Sequence, residues 1–312
     1  MAAQDYDVAI VGGGPAGLTA GIYCSRYGLR TVIIEKMMGG AQVINTERIE
    51  NYPGLPNGIP GAEFGPMLQD HAMKAGASVK LAEASRVGLS GDHRTVSTDD
   101  GDILAKAVII AAGSSLRKLG IPGEDGYTGN GVSHCATCDG PLFSGTVVGV
   151  VGGGDTAADE ALTLTKYVER VILFHRRDRL RAQQVLQDRV RTNTKIETVW
   201  NTEVRQIVGT NTVTSVQVRN VVTRLDNEVD LAGLFIYIGL EPNSAMVREV
   251  VRVDRAGHIE VDAWMQTSRQ GIFAAGDIRQ GSAAQLITSA GDGATAAIAA
   301  HRYIAGVQWA RR

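Results

Sequence analysis

The sequence predicts an α/β protein built as two doubly wound domains, the second inserted into the first. An apolar run closing on glycines, Val8-Ala9-Ile10-Val11-Gly12-Gly13-Gly14-Pro15-Ala16-Gly17, opens the chain, and a second, Val148-Gly149-Val150-Val151-Gly152-Gly153-Gly154-Asp155-Thr156-Ala157, stands near its middle. Each is followed by a helical stretch and another short apolar run, the βαβ order of a Rossmann-like dinucleotide-binding domain. Two short Gly/Pro segments, residues 113–122 and 239–242, bracket the second unit and read as linkers. The expected domains are therefore residues 1–116 with 242–312, and residues 117–241 between them; 312 residues suit about two domains.

Taken in order, Tyr6 to Val11 is a short apolar run stopped by glycines, as a buried parallel strand requires. Pro15 to Tyr27 follows as a helix with Gly28 as its stop, and Thr31 to Ile34 as a strand ending in Glu35. Strands are expected at Ser78–Leu81, Val87–Val96 and Ala107–Ala111, the last running into Gly113. The second unit repeats the pattern from Thr146 to Phe174 and ends in His175; strands at Lys195–Val199, Val204–Val208, Thr214–Val218 and Leu234–Ile238 complete it. Gly271–Ala275 is a late buried strand, and Ser282–Ile304 reads as mostly helical, interrupted near Gly291 and Gly293.

The formal charge of −2 argues against a nucleic-acid binder, which needs a concentrated basic face. No apolar run is long enough to span a bilayer, and Met1-Ala2-Ala3-Gln4-Asp5 lacks the basic start of a secretory signal, so a cytoplasmic location is the expectation. In that reducing compartment the pair Cys135-Ala136-Thr137-Cys138 reads as redox-active or metal-binding rather than as a structural staple. A tetrahedral zinc site needs four ligands, and the third cysteine, Cys24, lies within the first helix as a small core residue; no metal is expected.

The chemistry follows from the two glycine turns and the thiols. Gly12 permits a tight turn, Gly14 lets backbone approach a pyrophosphate, and Gly17 lets helix and strand pack closely. Helix N–H groups then face the phosphate, and Glu35 stands where a carboxylate accepts hydrogen bonds from ribose hydroxyls. The alternative is a glycine-rich turn with no ligand. Gly152, Gly154 and Ala157 keep the same geometry, with Asp155 and Thr156 at the helix start. The strand after them ends in His175-Arg176-Arg177, with Arg181 one helical turn beyond. Guanidinium groups pair with a 2′-phosphate where an acid repels it, which points to NADPH over NADH; a solvated basic surface is the plainer alternative. A thiolate of the dithiol attacks a disulfide and its partner resolves the mixed disulfide. Two intervening residues allow both sulfurs at one helix start, where a thiol pKa falls. Asp139 follows directly as a proton carrier or as a plain turn residue. Asn51, in Glu50-Asn51-Tyr52-Pro53-Gly54, is placed to touch a ring edge, Gly276-Asp277 a ribityl hydroxyl or phosphate, and Gln285 a ring carbonyl.

Together these residues resemble the low-molecular-weight thioredoxin reductases, over essentially the whole chain. The marks are Cys135-Ala136-Thr137-Cys138-Asp139-Gly140, Gly152 to Ala157, His175-Arg176-Arg177-Asp178 with Arg181-Ala182, Phe273 to Asp277, Glu50 to Gly54 and Ile287 to Gly291. The resemblance implies FAD in the first domain, NADPH in the second, thioredoxin or a similar protein as partner, and a homodimer. It also implies that Cys138 faces the flavin, that Cys135 exchanges with thioredoxin and that Asp139 is the acid–base group. The FAD set it suggests is Gly12, Gly14, Pro15, Ala16, Gly17, Glu35, Gln42, Asn51, Gly113, Gly276, Asp277 and Gln285. Two departures stand out: Gly39-Gly40-Ala41-Gln42 carries one residue more than the common Gly-Gly-Gln, and Ala284 precedes Gln285 where the family commonly has Arg. Two other readings stay open, a flavin-dependent dithiol oxidase using oxygen and a non-catalytic flavin redox sensor.

Overall fold

The structure, a computed structural model, describes residues 4–37 and 39–307. Met1, Ala2 and Ala3, on which part of the N-terminal reading rests, lie outside the described residues. The chain forms two compact units: one runs to Ser115 and resumes at Glu241, and the other is Leu116–Leu240. Each division falls one residue before the boundary expected from sequence.

The first unit is organised around β1 (Gln4–Val11), α1 (Pro15–Arg26) and β2 (Thr31–Glu35). Val8, Ala9 and Ile10 are fully buried, as a strand covered on both faces requires. Among the described residues the sheet has seven strands. Ser78–Leu81, β2, β1 and Gly101–Ile110 lie side by side, each parallel to the next. Beyond Gly101–Ile110 the sheet forks. The first half of that strand pairs antiparallel with His93–Thr98, and its last residues pair parallel with Ile272–Ala274.

Three features differ from the sequence reading. The stretch expected as one strand at Val87–Val96 is a hairpin, Ala84–Ser90 and His93–Thr98, because Gly91 takes φ +57° and turns the chain. The C-terminal helix, Leu286–Ile304, begins after Gln285 and runs unbroken through Gly291 and Gly293. Gly293 is a close-packing position there: a Cβ would strike the Ala16 carbonyl of α1. A helix at Gly61–Lys74 was not anticipated, since Pro66 and two glycines hide its pattern.

The second unit repeats the plan with β3 (Val147–Gly152), α2 (Asp155–Leu164) and β4 (Arg170–Phe174). Its parallel sheet runs Ile196–Val199, β4, β3, Gly233–Tyr237, Val132–Ser133. A separate antiparallel sheet holds Thr202–Gly209, Val213–Asn220 and the unanticipated Asp226–Asp230. Ser133 thus sits on a sheet strand, two residues before Cys135. Among the described residues no helix is long and apolar enough to cross a membrane.

Candidate active site

At the C-terminal end of β1 the chain turns through Gly12, whose φ is +110° and whose Cβ would collide with the Ala111 carbonyl. Gly14 has open space where a Cβ would stand, and it precedes Pro15 at the first turn of α1. Gly17 lies beneath, against the Gly12 carbonyl, so it closes the helix onto the turn rather than facing a ligand. Glu35 bridges the turn and its own loop: Gly13 N–H donates to Oε2 at 2.6 Å and Met37 N–H to Oε1 at 2.9 Å.

A cleft of about 450 Å³ opens over this turn, entirely within the first unit. Gly12, Gly14, Pro15, Ala16, Glu35, Gln42, Gly113, Gly276 and Asp277 all line it. Gln42 is anchored by donation from Nε2 to the Ser114 carbonyl at 2.7 Å. The additional loop residue is absorbed by a left-handed run, Gly39, Gly40 and Ala41 at φ +92°, +90° and +55°. Asp277 Oδ1 accepts from the hydroxyls of Ser282 (3.3 Å) and Ser289 (3.2 Å). Burial pushes the Asp277 carboxyl up, while those two hydroxyls pull it down. The turn carrying it is braced from behind: Asp292 accepts the Gly276 N–H at 3.1 Å and a two-pronged pair from Arg279 at 2.6 and 2.9 Å. Asn51 and Gln285 are not among the lining residues. They meet each other instead, Asn51 Nδ2 donating to Gln285 Oε1.

The second glycine turn shows what an inserted imidazole does. His175 is buried, its Nδ1 2.7 Å from the Gly152 carbonyl and its Nε2 2.9 Å from the Arg179 carbonyl, with a Cβ on Gly153 excluded by the ring. The ring points inward and sets the shape of the turn. Burial lowers its pKa, opposed by the two carbonyls and reinforced by the charges of Arg181 and Arg177. Asp155 is likewise occupied, its oxygens taking the Gln183 N–H at 2.7 Å and the Gln183 Nε2 at 2.8 Å. Gly154 is open, Ala157 is a buried residue of α2, and Thr156 is exposed at the first turn of that helix. Arg176, Arg177 and Arg181 are exposed, and Arg181 N–H is fastened to the Gly153 carbonyl at 2.6 Å.

Cys135 and Cys138 are joined as a disulfide with Cα atoms 5.3 Å apart, Cys138 the more exposed. The helix start expected behind them is a single turn, Ala136–Asp139. Asp139 Oδ2 accepts the Ser133 hydroxyl at 2.6 Å, and the same hydroxyl oxygen accepts the Cys135 N–H at 3.1 Å. Glu160 Oε2 accepts the Ala136 N–H at 2.8 Å and the Tyr237 hydroxyl at 3.0 Å. Ser133, Glu160 and Tyr237 were not found from sequence. Ser133 is two residues from Cys135 but belongs to no motif, and Glu160 and Tyr237 reach the turn only once α2 and the parallel sheet are assembled. Cys24 is buried, and burial pushes its thiol up to about 12, so it is inert at neutral pH.

The family model for pyridine nucleotide-disulphide oxidoreductases matches residues 6–297. The thioredoxin reductase of Bacillus subtilis is 42% identical over 304 residues, 97% of this chain and 96% of that protein. The crystal structure of Lactococcus lactis thioredoxin reductase matches with a TM-score of 0.95 at 40% identity, covering 96% of this chain and 99% of that one. That of T. acidophilum thioredoxin reductase matches at 0.92 and 32%, covering 98% and 100%. The chain belongs to the thioredoxin reductases, within the pyridine nucleotide-disulphide oxidoreductases. Thioredoxin reductases of this family use FAD and NADPH. The first cleft fits FAD: a glycine turn with room at Gly14, the Glu35 carboxylate beside that turn, and a lining that includes Gln42, Gly276 and Asp277. The second turn fits a phosphorylated nicotinamide nucleotide, with Gly154 open and exposed arginines at 176, 177 and 181 on the segment that follows β4.

Proposed function

We propose that this thioredoxin reductase binds FAD in the unit split between the chain ends and NADPH in the inserted unit, and delivers electrons through Cys135–Cys138 to thioredoxin or a thioredoxin-like protein. One observation carries the reading: the Cys135–Cys138 disulfide shares its unit with a glycine turn whose following strand leads into the exposed Arg176, Arg177 and Arg181. Bound FAD supplies two-electron transfer between nicotinamide and disulfide. Overall, NADPH, one proton and a protein disulfide give NADP⁺ and a protein dithiol.

The residues divide the work. Arg176, Arg177 and Arg181 pair with the 2′-phosphate, and the N–H groups at the start of α2 take the pyrophosphate. Gly12, Gly14, Pro15 and Ala16 do the same for FAD, Glu35 holds its ribose, and Gln42, Gly113, Gly276 and Asp277 contact the rest. Cys138 exchanges with the flavin side and Cys135 with the partner. Asp139, oriented by Ser133, passes protons to and from the thiols. Thioredoxin sits at about −270 mV, so the enzyme dithiol must be comparable or lower.

We further place the enzyme in the cytoplasm, where a cysteine pair of this kind is kept turning over, and propose that it works as a homodimer. Tyr23, Met67 and Met73 are exposed on two neighbouring helices of the first unit, and they supply apolar surface for such an interface. Anaerobic titration with NADPH, followed by oxidised thioredoxin, tests the central reading. The flavin band should bleach and then return. A band that bleaches and does not return with any thioredoxin would remove the partner, and one that never bleaches would remove the donor.

A further inference from the structure

The turn behind Cys135 has few N–H groups left to stabilise a thiolate. Cys135 N–H donates to Ser133 Oγ, Ala136 N–H to Glu160 Oε2, Cys138 N–H to Cys135 Sγ at 3.2 Å, and Asp139 N–H to the Cys135 carbonyl at 3.1 Å. The partner of Ala136 is unlike the others. Ala136 is fully buried, and its N–H meets a carboxyl that is itself mostly buried and comes from α2, twenty-four residues on. The Tyr237 hydroxyl donates to that same oxygen. Burial pushes the Glu160 carboxyl up, while the Ala136 N–H and the Tyr237 hydroxyl pull it back down; two donors converging on one oxygen favour its ionised form. Burial and the Glu160 carboxylate push the Tyr237 phenol up, so it remains a donor.

A dithiol becomes a stronger oxidant when its reduced form is stabilised, above all through a thiolate held by helix-start N–H groups. A carboxylate that captures the first such N–H works in the opposite direction. It removes a donor and places negative charge behind the turn. We propose that Glu160 is a positioning residue that keeps Cys135–Cys138 strongly reducing, by holding the Ala136 N–H to its carboxylate and away from a thiolate. Reduction itself breaks the S–S bond and takes up two electrons and two protons; Glu160 exchanges neither and acts only on the stability of the product. The inference rests on reading Cys135–Cys138 as the redox centre.

The test is the thiol–disulfide equilibrium of the FAD-loaded enzyme at pH 8. Wild type, Glu160→Gln and Tyr237→Phe are equilibrated anaerobically across ratios of reduced to oxidised dithiothreitol, quenched in acid and alkylated. The peptide carrying both cysteines is then weighed. Glu160→Gln should move the midpoint to a roughly tenfold lower ratio, about 30 mV less reducing for a two-electron couple. Tyr237→Phe, which weakens the carboxylate without touching the turn, should move it the same way by less, and it decides the matter if Glu160→Gln does not fold. A wild-type pair that never titrates would remove the redox-centre reading. A wild-type pair that titrates, with the folded variants within twofold of it or shifted the other way, would overturn the role of Glu160 alone.

Discussion

Asn51 Nδ2 donates to Gln285 Oε1 at 3.0 Å, joining side chains 234 positions apart at one rim of the first unit. Each was expected to touch a flavin ring. They fix one another, tying the Glu50–Gly54 loop to the residue that precedes the C-terminal helix. Ala284, beside Gln285, holds φ +51°, a left-handed backbone that leaves Gln285 extended at the helix start.

This pairing predicts non-additive losses. A neutral hydrogen bond of this kind contributes about 0.5–1.5 kcal/mol. Asn51→Ala and Gln285→Ala should each weaken FAD retention by roughly two- to tenfold, and the double variant should lose little more than either. FAD release followed by its fluorescence measures this; fully additive losses would show that the two residues act separately.

The arginine trio gives a donor-specific prediction. Replacing Arg176, Arg177 or Arg181 with Ala removes a charge-assisted contact worth about 1.5–3 kcal/mol, hence roughly 10- to 100-fold in KM for NADPH. Activity with NADH should hardly change. Equal losses with both nucleotides would place these side chains on something other than the 2′-phosphate.

How much of this was open to reading without coordinates depends on the range of each signal. The glycine turns, α1, α2, and the strand ends carrying Glu35 and His175 are local patterns, and the residues lining the first cleft from Gly12 to Ala16 follow from them. The direction of the His175 ring is not local: it depends on Gly153 lacking a Cβ and on a carbonyl four residues later. Glu160 was invisible for the same reason: its partner is the Ala136 N–H of the dithiol turn, twenty-four residues away and reached only once α2 is packed. Ser133 is close in the chain, but a serine before the dithiol carries no motif that singles it out. The hairpin at Gly91 and the helix holding Pro66 were missed because one breaker residue reads the same whether the chain turns, kinks or continues.

Gly17 tests the packing beneath the first turn. A Cβ there would strike the Gly12 carbonyl. Gly17→Ala should cost about 1–3 kcal/mol of overpacking, lowering the temperature of flavin release by roughly 2–12 °C. Gly28→Ala, with open space at its Cβ but φ +75°, should cost less. Release temperatures in the reverse order would argue against close packing as the role of Gly17.

Ser133 connects Asp139 to the Cys135 backbone, so its removal should act through Asp139. Ser133→Ala should slow thioredoxin reduction by roughly three- to tenfold. In an Asp139→Ala background the same change should cost less than twofold, and Ser133→Thr should restore most of the rate. An equal cost in both backgrounds would mean that the hydroxyl serves the fold rather than the carboxylate.

His175 predicts a pH dependence of stability with a definite sign. A neutral imidazole carries one N–H, yet both ring nitrogens face carbonyls, so protonation would complete the second hydrogen bond. Burial and the nearby Arg181 and Arg177 charges outweigh that gain and hold the folded pKa below the ordinary 6.5. The unfolded chain therefore takes up the proton first as pH falls. The contribution of the neutral ring is complete above about pH 6.5 and is lost as pH drops through 6.5 towards the lower folded value. His175→Gln keeps one donor and one acceptor but does not titrate. It should be less stable than wild type at pH 8, by about 1–2 kcal/mol for the misfitted contacts, and the gap should narrow steadily below pH 6.5. Paired urea melts from pH 8 to pH 5 measure that gap; one that widens on acidification would mean the ring is protonated and held by both carbonyls in the native state.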